Sequence, residues 1–145
     1  MKLAVRIPFA ELLGLELVRF DCDEAQIALQ LRDELCNSWS VAHGGVTMTL
    51  LDVVMAHAAR SPSEDGTVDS SGVVTIEMKT SFMRPGEGRL LATARRLHRT
   101  ASLAFCEAKV VGGDGKLVAQ ATGTFKYMRA LAVGGRRIRR LNASD

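Results

Sequence analysis

No apolar run in this 145-residue chain approaches the ~18 to 20 residues that a helix needs to cross a bilayer. A helical membrane anchor is therefore excluded, and no membrane partner is expected. Cysteine is scarce: Cys22, Cys36 and Cys106 are odd in number and far apart, which suits neither a disulfide framework nor a zinc ribbon and reads as reduced core thiols. Also missing are a phosphate-binding glycine loop, a serine-centred elbow and a His/Cys/carboxylate cluster at metal-ligand spacing. Neither a metal nor a separate cofactor is expected. Charge of one sign is missing from the body of the chain as well. Residues 129–145 hold five Arg against one Asp, +4, which leaves 14 basic against 15 acidic residues, −1, for the remainder. The body is thus no basic nucleic-acid binder, and the Arg-rich end reads as a solvated, flexible tail. The opening MKLAVRIPFAELLGLEL carries Lys2 and Arg6, but Pro8 and Glu11 break its apolar stretch and no small-residue cleavage site follows. The expectation is a cytoplasmic protein with one domain over 1–128 and a tail over 129–145.

What is present centres on HGGVTMTLLDVVMAHAAR, residues 43–60. Val46, Leu50, Val53, Val54 and Ala58 recur at helical spacing, and Leu51, Met55 and Ala59 carry the apolar surface almost all round. Such a helix is expected to be buried. Asp52 sits in its middle, where an ionised carboxylate loses its water unless a partner or a cavity compensates it. The helix opens with His43-Gly44-Gly45. Glycines there let a ligand approach the main chain, and first-turn amides at the positive end of the helix dipole can polarise a carbonyl. His57, on the same helix, reads as a structural residue. Asp52 follows His43 by nine residues, about half a revolution and roughly 13 Å along the axis, so the two cannot serve one small reacting group within one helix. If both act on it, a second copy must supply one of them, which predicts an obligate homodimer.

Around this helix the chain reads as strands. A short helix over 5–13, with Pro8 near its start and Gly14 as its stop, precedes an alternating segment from Leu15 to Phe20. A turn at Asp21-Cys22-Asp23 leads to a second alternating segment, 25–32. The connector 33–42 contains Asn37 and Trp39, and the polar stretch 61–72 reads as a mobile loop. Next comes a strand in which strict alternation puts Val74, Ile76, Met78, Thr80 and Phe82 on one face and Thr75, Glu77, Lys79 and Ser81 on the other. Segments 88–98 and 102–111 form a pair, and a turn at residues 112–115 leads into a last strand over 116–128. Two strands, one long helix and four more strands predict an α+β fold, a five- to six-stranded antiparallel sheet wrapped around one central helix at about 43–60.

With Asn37 six residues before His43, HGG opening the helix, Asp52 nine after the His, a strand ending FMRPG and the closing DGKLVAQATGTFKY, the chain resembles the hotdog-fold acyl-CoA thioesterases of the PaaI-like branch. The resemblance implies hydrolysis of an acyl- or arylacyl-CoA thioester, coenzyme A being part of the substrate. It implies that the Gly44 amide polarises the thioester carbonyl, with Asp52 of the neighbouring subunit as general base or nucleophile. Asn37 and His43 would orient the carbonyl and the helix start, and Thr75 would hold the attacking water or the carboxylate. Candidate substrate-binding residues are Gly45, Met55, Met83 and Arg84, the methionines for an adaptable acyl pocket and Arg84 for coenzyme A phosphate. A homodimer with shared sites, paired again into a homotetramer, is implied too. The rival readings are a non-enzymatic acyl-CoA-binding module and a hotdog enoyl-CoA hydratase or dehydratase.

Overall fold

The structure, a computed structural model, describes residues 2–131 and 133–137. Of the expected tail, residue 132 and residues 138–145 lie outside the described residues. Helix α1 (Pro8–Leu13) begins with Pro8 in its first turn and stops at Gly14, whose φ of 79° supplies the left-handed cap. Strands β1 (Glu16–Asp21) and β2 (Glu24–Gln30) form a hairpin. Its two turn residues, Cys22 and Asp23, both have positive φ, 49° and 64°, the mirror-image turn that matches strand twist; the turn leaves Cys22 exposed, so of the three expected core thiols only Cys106 is buried. A single 3-10 turn (Asp33–Leu35) precedes α2 (Gly44–Arg60), and β3 (Gly72–Phe82), β4 (Arg89–Arg99), β5 (Leu103–Val111) and β6 (Leu117–Met128) follow. All neighbours are antiparallel in the order β1-β2-β4-β5-β6-β3. Strands β1 and β3 are therefore the two edges. No helix of the described residues is long and apolar enough to cross a membrane.

The sheet curls around α2, as its apolar pattern demands. Leu50, Leu51, Val54 and Met55 are wholly buried, each such side chain contributing roughly 1.5–3 kcal/mol. The sheet meets them with small residues, among them Ala92, Ala104 and Ala119, so the helix seats close to the strands. At Gly123 the fit is tight: a Cβ there would stand 3.1 Å from Met55 Cε and 3.0 Å from Phe125 Cε2. Two side chains on the sheet close the C-terminal end of α2, where helix carbonyls lack partners. Arg96, 7% exposed, donates to the Ala59 carbonyl, to the Asp23 carboxylate and to the Ser63 hydroxyl, and Tyr127 donates to Ala59 O. The loop after α2, expected to be mobile, is held from the sheet: Arg99 donates to Asp69 at 2.8 Å while its guanidinium lies 4.1 Å over the Tyr127 ring. That hydrogen bond, with another from Ser71 N–H, pulls the Asp69 carboxyl down to about 2.

His57 is 2% exposed. Burial lowers its pKa from 6.5 to about 4, so between those values the unfolded chain binds a proton that the folded one refuses. The contribution to stability is complete above pH 6.5 and is lost as pH falls toward 4, about 3 kcal/mol in all. Urea midpoints measured across that interval are expected to fall with acid in the wild type. In His57→Leu this part of the slope disappears, and an unaltered slope would refute the assignment.

Candidate active site

The sheet covers most of α2 but leaves one stripe open. Gly45 and Met48 are exposed, and Val46, Thr49, Asp52, Ala56 and Arg60 are half-buried, while Thr47, Leu50, Leu51, Val53–Met55 and His57–Ala59 are buried. These positions recur at three and four residues, so they share one side of the helix. Asp52 accordingly does not sit in a sealed core, as its apolar neighbours suggested. It lies half-open beside edge strand β3, which pairs only with β6.

On that edge Thr75 donates its hydroxyl to Asp52 Oδ1 at 2.6 Å. Strict alternation had put Thr75 on the face of Glu77 and Lys79. The register explains the difference. Thr75 pairs with Phe125 and Glu77 with Thr124, so Ile76 is an extra residue, a bulge. Phe125 is fully buried and Met78 lies opposite Gly123, so Thr75 and Met78 both face the helix although they are three positions apart, an odd spacing. A bulge re-aims a side chain at little cost to the rest of the ladder, and here it turns a hydroxyl onto the one carboxylate of α2. Asp52 Oδ2 has no protein partner among the described residues.

The start of α2 is organised as closely. His43 is the N-cap, its Nδ1 accepting from Gly45 N–H at 2.9 Å, and its carbonyl accepts from the amides of Val46 and Thr47. Of the first-turn amides this leaves Gly44 N–H alone without a partner among the described residues, beside Phe82, whose ring a Cβ at Gly44 would meet at 3.7 Å. Gly45 therefore offers close approach but no free donor. Asn37 folds the connector: its Oδ1 accepts from the amides of Trp39 and Val41, a local turn that leaves Trp39 82% exposed. Met83 is 48% exposed, and Arg84 is exposed with its guanidinium donating to Leu117 O at 2.9 Å. Met55, the other candidate for the acyl pocket, is fully buried and fills the space that Gly123 leaves.

Two clusters result. Asp52 and Thr75 stand together, whereas Asn37, His43, Gly44 and Gly45 gather at the helix start, with Asp52 eight residues and about 12 Å beyond Gly44 along the axis. Sequence reasoning passed over Phe82 beside Gly44 and a cavity further along the open stripe. The cavity, of about 540 Å³, is walled by residues 5–8, Ala56, His57, Arg60 and Val73, with Arg137 at its edge. Its only sequence signal is that Ala56 and Arg60 follow Asp52 at four and eight residues.

The sequence profile of the thioesterase superfamily matches residues 40–119, a span containing Gly44, α2, Asp52 and Thr75. The chain belongs to the thioesterase superfamily. Among relatives, the medium/long-chain acyl-CoA thioesterase YigI of Salmonella typhimurium is 30% identical over 131 residues, covering 82% of this chain and 84% of that protein. Among solved structures, a conserved protein of Pseudomonas aeruginosa superposes with a TM-score of 0.76 at 33% identity, covering 86% of this chain and 97% of the other. The Escherichia coli PaaI protein from the phenylacetic acid degradation operon, 24% identical with a TM-score of 0.74 over 83% of each chain, shares the fold. The sheet-wrapped helix is thus the hotdog fold, and by family the chain is a thioester hydrolase.

Proposed function

We propose that this thioesterase hydrolyses acyl-CoA to the free acid and coenzyme A, as a cytoplasmic homodimer with shared sites whose dimers pair into a tetramer. The observation that carries the reading is the combination, at α2, of an unpartnered first-turn amide at Gly44 with a carboxylate at Asp52 that one hydroxyl holds and the sheet leaves open. The medium/long-chain acyl-CoA thioesterase name of the Salmonella relative supports an acyl-CoA substrate. In this reading the Gly44 amide of one subunit, with the helix dipole behind it, binds the thioester carbonyl oxygen. Asp52 of the partner subunit, steadied by Thr75, takes a proton from water as the water oxygen bonds to the carbonyl carbon. The oxyanion collapses, the carbon–sulfur bond breaks and the thiolate departs. Asn37 and His43 keep the helix start in place, and Met83 and Arg84 flank the entrance.

Separation along the helix dictates the dimer geometry. In two antiparallel helices related by a two-fold axis, Gly44 of one lies level with Asp52 of the other only if Met48 is at the axis. Met48 is 37% exposed, on the open stripe, and the free edge of β3 runs beside it for strand-to-strand pairing. Met48→Cys, in a background with Cys22 and Cys36 replaced by Ser, is expected to give a covalent dimer on mild oxidation. Persistent monomer on denaturing gels would overturn this axis. The activity itself is tested by free-thiol release from phenylacetyl-, benzoyl- and straight-chain acyl-CoA. Saturable binding without thiol release on every substrate would favour a binding module, and loss of an enoyl double bond without thiol release a hydratase.

A further inference from the structure

Beyond Asp52 the open stripe runs to Ala56 and Arg60, each four residues on and turned by only about 40° from the last, and both line the cavity of about 540 Å³. The rest of its wall is apolar, Val5, Ile7, Pro8 and Val73, except for His57 and two more arginines, Arg6 and Arg137. His57 is neutral at physiological pH, since burial lowers its pKa to about 4. Among the described residues no acid lines the cavity, nor does any Ser, Thr, Asn or Gln. Arg60 donates from Nε to the Ser71 carbonyl at 3.0 Å, which anchors its guanidinium. Arg6 and Arg137 are exposed and make no salt bridge among the described residues. A smaller cavity of about 170 Å³ shares Val73 and Arg137 with the first and adds Arg129 and Arg136, again without an acid. Apolar walls beside a cluster of arginines with no acid among them suit an occupant that is hydrocarbon along its length and negative at its end.

We infer that the cavity takes the distal part of the acyl group and that the enzyme selects dicarboxylic acyl groups of medium length, whose far carboxylate meets Arg6 and Arg137. The inference rests on the thioesterase reading, which puts the carbonyl carbon at Asp52. With Met48 at the two-fold axis, Ala56 and Arg60 lie beyond the start of the partner's α2, so that helix leaves the cavity open. Ala56 is about 6 Å and Arg60 about 12 Å past Asp52 along the axis. At roughly 1.2 Å per bond, a chain of eight to ten carbons carries its last carbon about 8–11 Å from the first, toward the level of Arg60. A four-carbon chain ends short of Ala56, where a carboxylate loses its water among apolar walls and gains no partner. The phosphates of coenzyme A are the other anions of the substrate. The arm that carries them contains two amides, however, and the cavity wall has no Ser, Thr, Asn or Gln to pair with them. A polymethylene chain makes no such demand.

The experiment compares suberyl-CoA, the eight-carbon dicarboxylic thioester, with octanoyl-CoA, and succinyl-CoA with butyryl-CoA. Wild type is expected to favour suberyl over octanoyl about tenfold in kcat/KM, the size of one charge-assisted hydrogen bond, and to show no preference for succinyl over butyryl. In the double variant Arg6→Gln, Arg137→Gln, the suberyl preference is expected to fall to about one, with wild-type circular dichroism. A wild-type preference of one or less, an equal preference for succinyl, or a preference unmoved in the double variant overturns the inference. If the variant loses activity alike on suberyl- and octanoyl-CoA but not on their pantetheine thioesters, the arginines hold the coenzyme's phosphates, and the inference is overturned as well. Should the double variant not fold, Arg6→Gln and Arg137→Gln are measured singly, and each must lower the preference. If the wild type releases no thiol from any of these thioesters, the thioesterase reading falls. Calorimetry with the intact thioesters then decides the cavity alone: tenfold tighter binding of suberyl-CoA, lost in the variant, supports it, and equal affinities overturn it.

Discussion

Replacing Asp52 by Asn is expected to lower kcat by about a thousandfold, within the range for loss of a general base, and to leave the fold and KM nearly unchanged. The substitution is close to isosteric, and the Thr75 hydroxyl that donates to Asp52 Oδ1 at 2.6 Å can donate equally well to an amide oxygen. The carboxylate's position is therefore retained while its basicity is removed. Because Asp52 lies half-open on the stripe, no buried charge is left unpaired and thermal stability should shift little. Free-thiol release under saturating substrate, together with a melting curve, checks both halves. A variant that keeps more than a tenth of wild-type kcat would remove Asp52 from the chemistry.

Gly44→Pro is the second large effect, because it deletes one N–H and changes little else. Gly44 is the first residue of α2, a position where proline is well tolerated. The residue before it, His43, already has φ −61° and ψ 137°, the extended backbone a following proline requires. A Cβ at this position meets only the Phe82 ring, at ordinary contact distance. A fall in kcat of about 10²- to 10³-fold is expected, the loss recorded for one oxyanion-binding donor, with the melting temperature held or slightly raised. Gly44→Ala keeps the amide and should stay within a few-fold of wild type, which separates loss of the donor from crowding. The two inactive variants also test the shared site. Mixed and allowed to exchange subunits, Gly44→Pro and Asp52→Asn should recover about a quarter of wild-type activity, since half the dimers are hybrids and each hybrid has one intact site. No recovery, with exchange confirmed, would mean that each chain supplies both groups itself.

Much of this protein is written locally. Helix α2 declares itself by the spacing of Leu50, Val54 and Ala58, the Cys22-Asp23 turn by its short polar residues between alternating strands, and the end of α1 by Gly14, because periodicity and turn chemistry depend on neighbours within a few positions. The same holds for Gly44 and Asp52: a glycine pair at a helix start and a carboxylate in an apolar helix are anomalies visible without coordinates. Their separation along one helix is simple geometry, and it is the ground on which a second subunit is proposed.

Other features depend on partners distant in the chain, and these were decided only by the tertiary structure. The bulge at Ile76 arises from the register of β3 against β6 and puts Thr75 on the face that strict alternation denied it. Met55, a candidate for the acyl pocket, is core because Gly123, sixty-eight residues later, leaves room for it. The stripe that keeps Asp52 half-open reflects where the sheet stops, and the cavity at His57 exists because the N-terminal stretch returns to the far end of α2. By itself the sequence determined which elements form and which residues are chemically out of place, since both follow from short-range periodicity and residue chemistry. Only the packing of remote strands decided which side chains meet and which stay open, because register and coverage are properties of the whole sheet.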